Sequence, residues 1–323
     1  ALGLLLTIPG LPVIYYGTEQ YFEETRASMF ANGWGSLGED HFDTNSGMYE
    51  FIKETTEFRK THPATRYGEI KTLLSEKRGA GLLVYILRCD EEELLVIMNT
   101  ANDQRITNFK TDYEPGTTFE PIYNAAAGVG IPIVVREEGY MNLKMPAKSF
   151  TIFSVSKERS EVSKPNVDVS IDLKSGDKLT KLTEVTGETN AKTLYVYIDR
   201  KVESELKIEP KNGKFTFTID PLKLDPGEHT VLIRAIGKTV KDTLYTDEIK
   251  VSVELEKKLL AEVADPRDDD TGLSGTYVYP TDLSFKRQMD IVEAKAESIG
   301  STLILSIKPR DLTKSWSPTY GFD

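Results

Sequence analysis

Residues 8–20, Ile8-Pro9-Gly10-Leu11-Pro12-Val13-Ile14-Tyr15-Tyr16-Gly17-Thr18-Glu19-Gln20, join an apolar run to an abrupt polar turn a few residues from the start of the chain. With Leu2, Leu4, Leu5 and Leu6 ahead of them they form a nearly uninterrupted apolar stretch. Pro9-Gly10 and Pro12 break it into a short helix end, a turn and a strand. A strand this apolar is expected to be buried on both faces, as parallel strands are, and to need neighbours. Its position predicts that the chain opens inside a domain. A secretory signal is the other reading of an apolar start, but no basic segment precedes the run, and Tyr-Tyr-Gly-Thr-Glu makes a poor cleavage site.

Outward from this stretch the period of the sequence changes twice. Met48, Phe51, Ile52, Thr55 and Phe58 recur at helical steps, with Asp43 to Ser46 available as caps, Glu50 in the first turn and His62-Pro63 as the stop. From Tyr67 to Val155 the pattern alternates. Leu82-Val84-Ile86, Leu94-Val96-Met98, Phe119-Pro121-Tyr123, Met141-Leu143-Met145 and Phe150-Ile152-Phe153 read as short strands between Gly, Asn and Asp turns. Lys157 to Pro165 is charged, lacks apolar period and reads as a linker. Alternation returns in Val167-Val169-Ile171, Leu194-Val196-Ile198, Phe215-Phe217-Ile219, His229-Val231-Ile233 and Ile249-Val251-Val253, and Leu224 to Thr230 forms a turn of the kind found in immunoglobulin-like modules.

Composition bounds the function. A chain of 323 residues predicts two or three domains. A net charge of −11 disfavours nucleic acid and anionic membrane as partners, and no apolar run approaches a membrane span. The single cysteine, Cys89, is expected to be packed and excludes an internal disulfide.

The ordered matches Tyr16-Gly17-Thr18-Glu19-Gln20-Tyr21, Arg26-Ala27, Phe42-Asp43-Thr44, Phe58-Arg59-Lys60, His62-Pro63-Ala64 and Tyr67-Gly68 resemble the α-amylase family of glycoside hydrolases. Within it they are similar to cyclodextrin glucanotransferases and maltogenic amylases. The resemblance implies a mainly β, multidomain chain: the last βα unit of a truncated (β/α)8 barrel over residues 1–62, followed by β-sandwich domains. These would be an amylase-type sandwich over 63–156, an immunoglobulin-like sandwich over 164–256 and an incomplete domain over 259–323. The last of these, with Asp265-Pro266-Arg267-Asp268-Asp269-Asp270-Thr271-Gly272, Gly275-Thr276-Tyr277-Val278-Tyr279-Pro280-Thr281 and Trp316, looks like the C-terminal domain of glucodextranases and amylopullulanases.

The resemblance also implies where the chemistry sits. The family hydrolyses or transfers α-glucans with an Asp nucleophile, a Glu acid/base and a third Asp, all on earlier barrel strands, and two carboxylates so placed support a retaining double displacement. None of these positions falls within the chain, so no catalytic residue is assigned and the chain itself is expected to be inactive on starch. Glu19, Glu23, Glu24, Glu39, Asp40 and Asp43 are carboxylates of the right type, but a solvated acidic rim explains them as well.

Arg26 matches an arginine that in the resembling transferases holds a glucose unit, although the loop ahead of it is shortened to Glu23-Glu24-Thr25. Trp34, in the loop that follows, either offers a sugar ring a platform or packs the loop down. The four aspartates at Asp265, Asp268, Asp269 and Asp270 could ligate calcium, which takes six to eight oxygens, or form a solvated turn. The partners expected are an α-glucan and a cell-surface layer, with an extracellular or cell-surface location. Amylase-type hydrolysis is preferred over cyclodextrin-forming or other transglycosylation, and a non-catalytic polysaccharide-binding array is the alternative from another class.

Overall fold

The computed structural model describes residues 1–90, 92–125, 130–239, 242–269 and 290–310. Three helices come first: α1 (Leu2–Thr7), α2 (Gly47–Thr61) and α3 (Ala64–Tyr67). The strands β1 (Glu69–Ser75), β2 (Leu82–Cys89), β3 (Glu92–Asn99), β4 (Arg105–Lys110), β5 (Thr117–Ala125), β6 (Ile133–Val134), β7 (Tyr140–Met145) and β8 (Ser149–Arg159) follow. Next are β9 (Val169–Ile171), β10 (Lys178–Leu179), β11 (Thr183–Thr189), β12 (Thr193–Ile198), β13 (Leu206–Ile208), β14 (Lys214–Ile219), β15 (Gly227–Ile236), β16 (Thr243–Tyr245) and β17 (Ile249–Val253). Last come β18 (Lys258–Ala264), β19 (Ile291–Ile299) and β20 (Thr302–Pro309). The chain is mainly β, as expected. It divides into two compact units, residues 1–169, 189–210 and 231–248 in the first and 170–188, 211–230 and the described part of 249–323 in the second.

The first unit is built on a sheet of order β1-β2-β3-β8-β5-β6, with β4 paired to β7 as a second layer. Both faces of the large sheet are covered. Val84, Ile86, Leu95, Ile97, Phe119 and Phe153 pack toward Phe109, Met141, Leu143 and Met145 of the β4–β7 pair. Tyr85, Leu87, Leu94, Val96, Phe150 and Ile152 pack toward Phe58 of α2, with Leu4 and Ile8 alongside. Two covered faces explain why β2 and β3 read as near-continuous apolar runs although their pairing is antiparallel. Removing Phe58 from water contributes about 2–3 kcal/mol to this packing. Cys89 ends β2 against the same cluster.

Helix α2 matches its expected span, and its acidic first turn (Glu50) and basic last turn (Arg59, Lys60) complement the helix dipole. Ser46 occupies the N-cap, but its hydroxyl donates to the Glu19 carbonyl at 2.8 Å instead of capping the helix. The strand expected over Ile8 to Gln20 does not form. Leu2–Thr7 is a short helix, and the residues after it bend at Ile8 to Gly10 and join no ladder, leaving Leu11 95% and Val13 80% exposed. A strand exists only where its N–H and C=O groups meet another strand, and none of the described strands lies beside this segment. Strand β8 runs to Arg159, into the stretch expected to be linker.

Tyr85, 2% exposed and 3.4 Å from the Thr7 hydroxyl, has its own hydroxyl pushed up to about 12 by burial. The unfolded chain releases that proton near pH 10 and the folded protein only near 12, so the folded state holds more protons in between. This contribution of about 2–3 kcal/mol is complete below pH 10 and is lost as pH rises toward 12. Urea unfolding at about pH 9 and about pH 11 is expected to show a shallower alkaline loss for Tyr85→Phe than for the parent; equal losses would remove Tyr85 from the alkaline limit.

In the second unit β9, β11 and β14 form a three-stranded sheet in the order β14-β11-β9, and β10 pairs in parallel with β17. β18, β19 and β20 form an antiparallel sheet of their own.

Candidate functional site

The segment after Tyr16 turns on Gly17 (φ 82°), where a Cβ would stand 2.3 Å from the Phe22 ring, so only glycine fits. A single 3-10 turn over Thr18–Gln20 follows and ends on Tyr21 at φ 59°. The loop thus launched is closed at its base by one side chain: the Gln20 amide donates to the Asp43 carbonyl and accepts from the Asp43 N–H, each at 3.0 Å.

Inside the loop Ser36 donates to the carbonyls of Ala31 and Gly33, and Asp40 accepts the Ala31 N–H at 2.7 Å. The His41 ring is 2.9 Å from the Ser36 carbonyl and sits edge-on to Phe22. The Ser28 N–H donates to the Trp34 carbonyl at 2.7 Å. These bonds leave the Trp34 ring outside, 67% exposed.

Arg26 and Trp34, placed by separate arguments from sequence, line the same open cleft of about 680 Å³, together with Tyr15, Glu24 and Thr25. Tyr15 stacks obliquely on Tyr16 at 4.7 Å between ring centroids. The Tyr16 hydroxyl is raised above its ordinary value by desolvation and by Tyr15, and Arg26 pulls it back down. Two aromatic faces beside a guanidinium suit a sugar, whose apolar ring face stacks while its hydroxyls accept from the five N–H donors of arginine. Tyr15 was not legible as a site residue, because the strand reading places it in a ladder.

Glu24 is the one carboxylate among the lining residues. Asp40 is committed to the loop, Asp43 accepts the Asn45 N–H at 2.8 Å, and the Glu19 carbonyl is tied to Ser46. Among the described residues no second carboxylate lines the cleft.

The aspartates are arranged differently. Asp270 lies outside the described residues. The Asp265 N–H donates to the Val292 carbonyl, and Asp268, at φ 64°, accepts from Arg310 Nη1 at 2.5 Å through its carboxylate. Arg310 also reaches Asp290, a residue missed in the sequence reading and only 1% exposed, at 3.3 Å. Among the described residues no three acidic or imidazole groups converge as metal ligands, and an arginine already supplies positive charge to Asp268 and Asp290. The described residues alone do not assemble a calcium ligand set.

Residues 260–323 match the Glucodextran_C family, the C-terminal, SLH-like binding module of glucodextranase. The cyclomaltodextrin glucanotransferase of Bacillus sp. (strain 1-1) is 26% identical over 202 residues, 60% of this chain and 26% of that protein. The α-amylase of Streptomyces lividans is 27% identical over 195 residues, 54% of this chain and 20% of its own length. The cyclomaltodextrin glucanotransferase of Paenibacillus macerans is 43% identical over 68 residues, 21% of this chain and 9% of that protein. A solved α-amylase of Anoxybacillus aligns at 16% identity with a TM-score of 0.39, covering 50% of this chain and 33% of that one. The chain therefore spans about a quarter or less of these curated relatives. It is similar to amylases and cyclomaltodextrin glucanotransferases, and its end is similar to the SLH-like binding module of glucodextranase.

Proposed function

We propose that this chain is the carboxy-terminal portion of an α-glucan-acting enzyme of the amylase type. It supplies sandwich modules and a sugar-contacting rim and leaves the catalytic carboxylates to the rest of the enzyme. The observation that carries the reading is the meeting of Tyr15, Arg26 and Trp34 in one cleft, beside Glu24 as the single carboxylate among its described lining residues. Among the described residues no helix is long and apolar enough to cross a membrane. The SLH-like match at residues 260–323 favours an extracellular or surface-attached enzyme.

The test uses the two tryptophans of the chain as reporters. Maltoheptaose is expected to change the fluorescence of the chain saturably. Trp34→Ala and Arg26→Ala should each weaken binding by about tenfold, equivalent to about 1.4 kcal/mol. The chain alone should release no sugar from starch, whereas the full-length protein, recovered from medium or cell wall, should. Starch cleavage by the chain alone, or binding that survives both substitutions, would overturn the proposal. Cyclodextrins as the main product of the full-length protein would make it a transferase rather than a hydrolase.

A further inference from the structure

A second cavity, of about 340 Å³, lies elsewhere in the first unit and shares no residue with the Tyr15–Arg26–Trp34 cleft. It is bordered by β6, β7, β15 and β16. Three cations line it: Arg136 just after β6, Lys144 on β7 and Arg234 on β15. Among the described residues no aspartate or glutamate does so, in a chain with 51 acidic and 40 basic residues. Among the described residues none of the three cations forms an ion pair, although Arg105 and Arg200 of the same unit are fully paired with carboxylates.

Arg234 is the most enclosed of them. Its guanidinium lies 5.4 Å from the Tyr195 ring centroid and 6.0 Å from that of Tyr245, so the side chain is held between two aromatic faces. Its Nε is shut off from solvent and has no acceptor. The neighbouring Tyr197 hydroxyl donates its proton to Glu205 at 2.5 Å, which leaves its oxygen to face Arg234. A planar donor fork held in place between two rings, with two further cations at the rim, is an arrangement that lacks only an acceptor. Guanidinium and ammonium groups gathered without a counter-charge repel one another, and an oxyanion among them relieves that repulsion while accepting from the guanidinium N–H groups that face the cavity.

We propose that this cavity is an oxyanion site, taking a phosphate, sulfate or carboxylate group that is either free or carried on a sugar. Arg234 is the primary donor, Arg136 and Lys144 close over the charge, and the Tyr245 ring forms the wall against which a sugar ring bearing the group would rest. The size suits this occupant, since small-molecule sites begin near 300 Å³.

Calorimetric titration with inorganic phosphate, with glucose 6-phosphate and with glucose tests the site on the chain as it stands. Phosphate is expected to bind saturably near about 1 mM, and glucose not at all. Arg234→Gln and the rim variant Lys144→Gln should each weaken phosphate by about tenfold, equivalent to about 1.4 kcal/mol. Lys144 is exposed, so its replacement leaves the fold intact and keeps the test valid if Arg234→Gln lowers the melting temperature. Tighter binding of glucose 6-phosphate than of inorganic phosphate would identify a sugar-borne group, and equal binding a free oxyanion. Absence of saturable binding by either ligand to about 50 mM, or unchanged affinity in Lys144→Gln, would overturn the proposal.

Discussion

Replacing Arg200 with alanine is expected to destabilise the first unit by about 3–5 kcal/mol, because it strands the buried Glu248 carboxylate and leaves Glu76 with Arg105 alone. Arg200 grips Glu248 with two parallel bonds, Nε to Oε1 at 2.8 Å and Nη2 to Oε2 at 2.5 Å, and reaches Glu76 at 3.4 Å. Glu76 in turn lies 3.7 Å from Arg105, whose Nε holds Asp103 at 2.9 Å and whose Nη1 holds the Asp199 carbonyl at 2.7 Å. Thr107 donates to Glu248 at 2.7 Å. The side chains of Arg105, Arg200, Glu76 and Glu248 are 8–12% exposed, so water screens the pairing little. The attraction of Glu248 and Glu76 outweighs burial and holds the Arg200 guanidinium above its usual range.

The cluster also holds a strained turn, since Asp199 and Arg200 both have positive φ, at 53° and 60°, where a side chain larger than that of Asn or Asp is unfavourable. It ties residues 76–107 to residues 199–248, which the sequence separates by a linker. Three variants measured by urea unfolding distinguish charge from geometry. Arg200→Lys keeps the charge and loses the fork, so it should recover less than half of the loss. Arg200→Met combined with Glu248→Leu removes both charges and should recover most of it. A loss below about 1 kcal/mol for Arg200→Ala would mean that water reaches the cluster and screens it.

Much of the first unit is legible in the sequence, and the gaps have a common cause. β2, β3, β5, β7 and β8 announce themselves because their apolar side chains bury against the unit's own layers. β4, Arg105–Lys110, does not, because Thr107 and Asn108 are buried polar residues. Their partners, Glu248 and the Thr246 carbonyl, lie more than a hundred residues away, and no local pattern reports them. β1 is missed for the opposite reason: its residues are mostly exposed, and only pairing with β2 makes it a strand.

The same logic governs the candidate site. Arg26 and Trp34 are visible as residue types in a loop, and so is the turn at Gly17. Tyr15 is misassigned because an apolar run reads as a ladder whether or not a second strand is there to complete it. Arg234 is invisible as a site residue because its alternation with Ile233 and Ala235 marks only which face it occupies. What makes it a donor is the pair of tyrosines from β12 and β16 beside it.

The start of the segment that reads as a strand is clamped by Arg59, and Arg59→Ala is expected to cost about 3–4 kcal/mol by removing that clamp. Arg59, 8% exposed in the last turn of α2, donates from Nη1 to the carbonyls of Leu6 at 3.0 Å, Ile8 at 2.8 Å and Thr65 at 2.6 Å, and from Nη2 to that of Gly10 at 2.6 Å. Burial and the nearby Arg66 lower its affinity for the proton, but the carbonyl dipoles that surround it keep the charge solvated. Those at Leu6 and Ile8 include the end of α1, where the helix dipole is negative.

Without the guanidinium, four carbonyls lose a donor, each at about 1–3 kcal/mol where water cannot enter. Arg59→Lys should restore little, because one ammonium cannot reach Gly10 and Thr65 together. The loss should be local before it is global. The Leu5 and Ile8 amides, which close α1 on the carbonyls of Ala1 and Leu4, should lose hydrogen-exchange protection in Arg59→Ala while those of β2 and β3 keep theirs. Because Gly10 leads within five residues to Tyr15, the same variant should also weaken maltoheptaose, by separating Tyr15 from Arg26 and Trp34. Unchanged protection at Leu5 and Ile8 would show that water takes over the carbonyls, and Arg59 would then be a packing residue and not the clamp that sets the cleft.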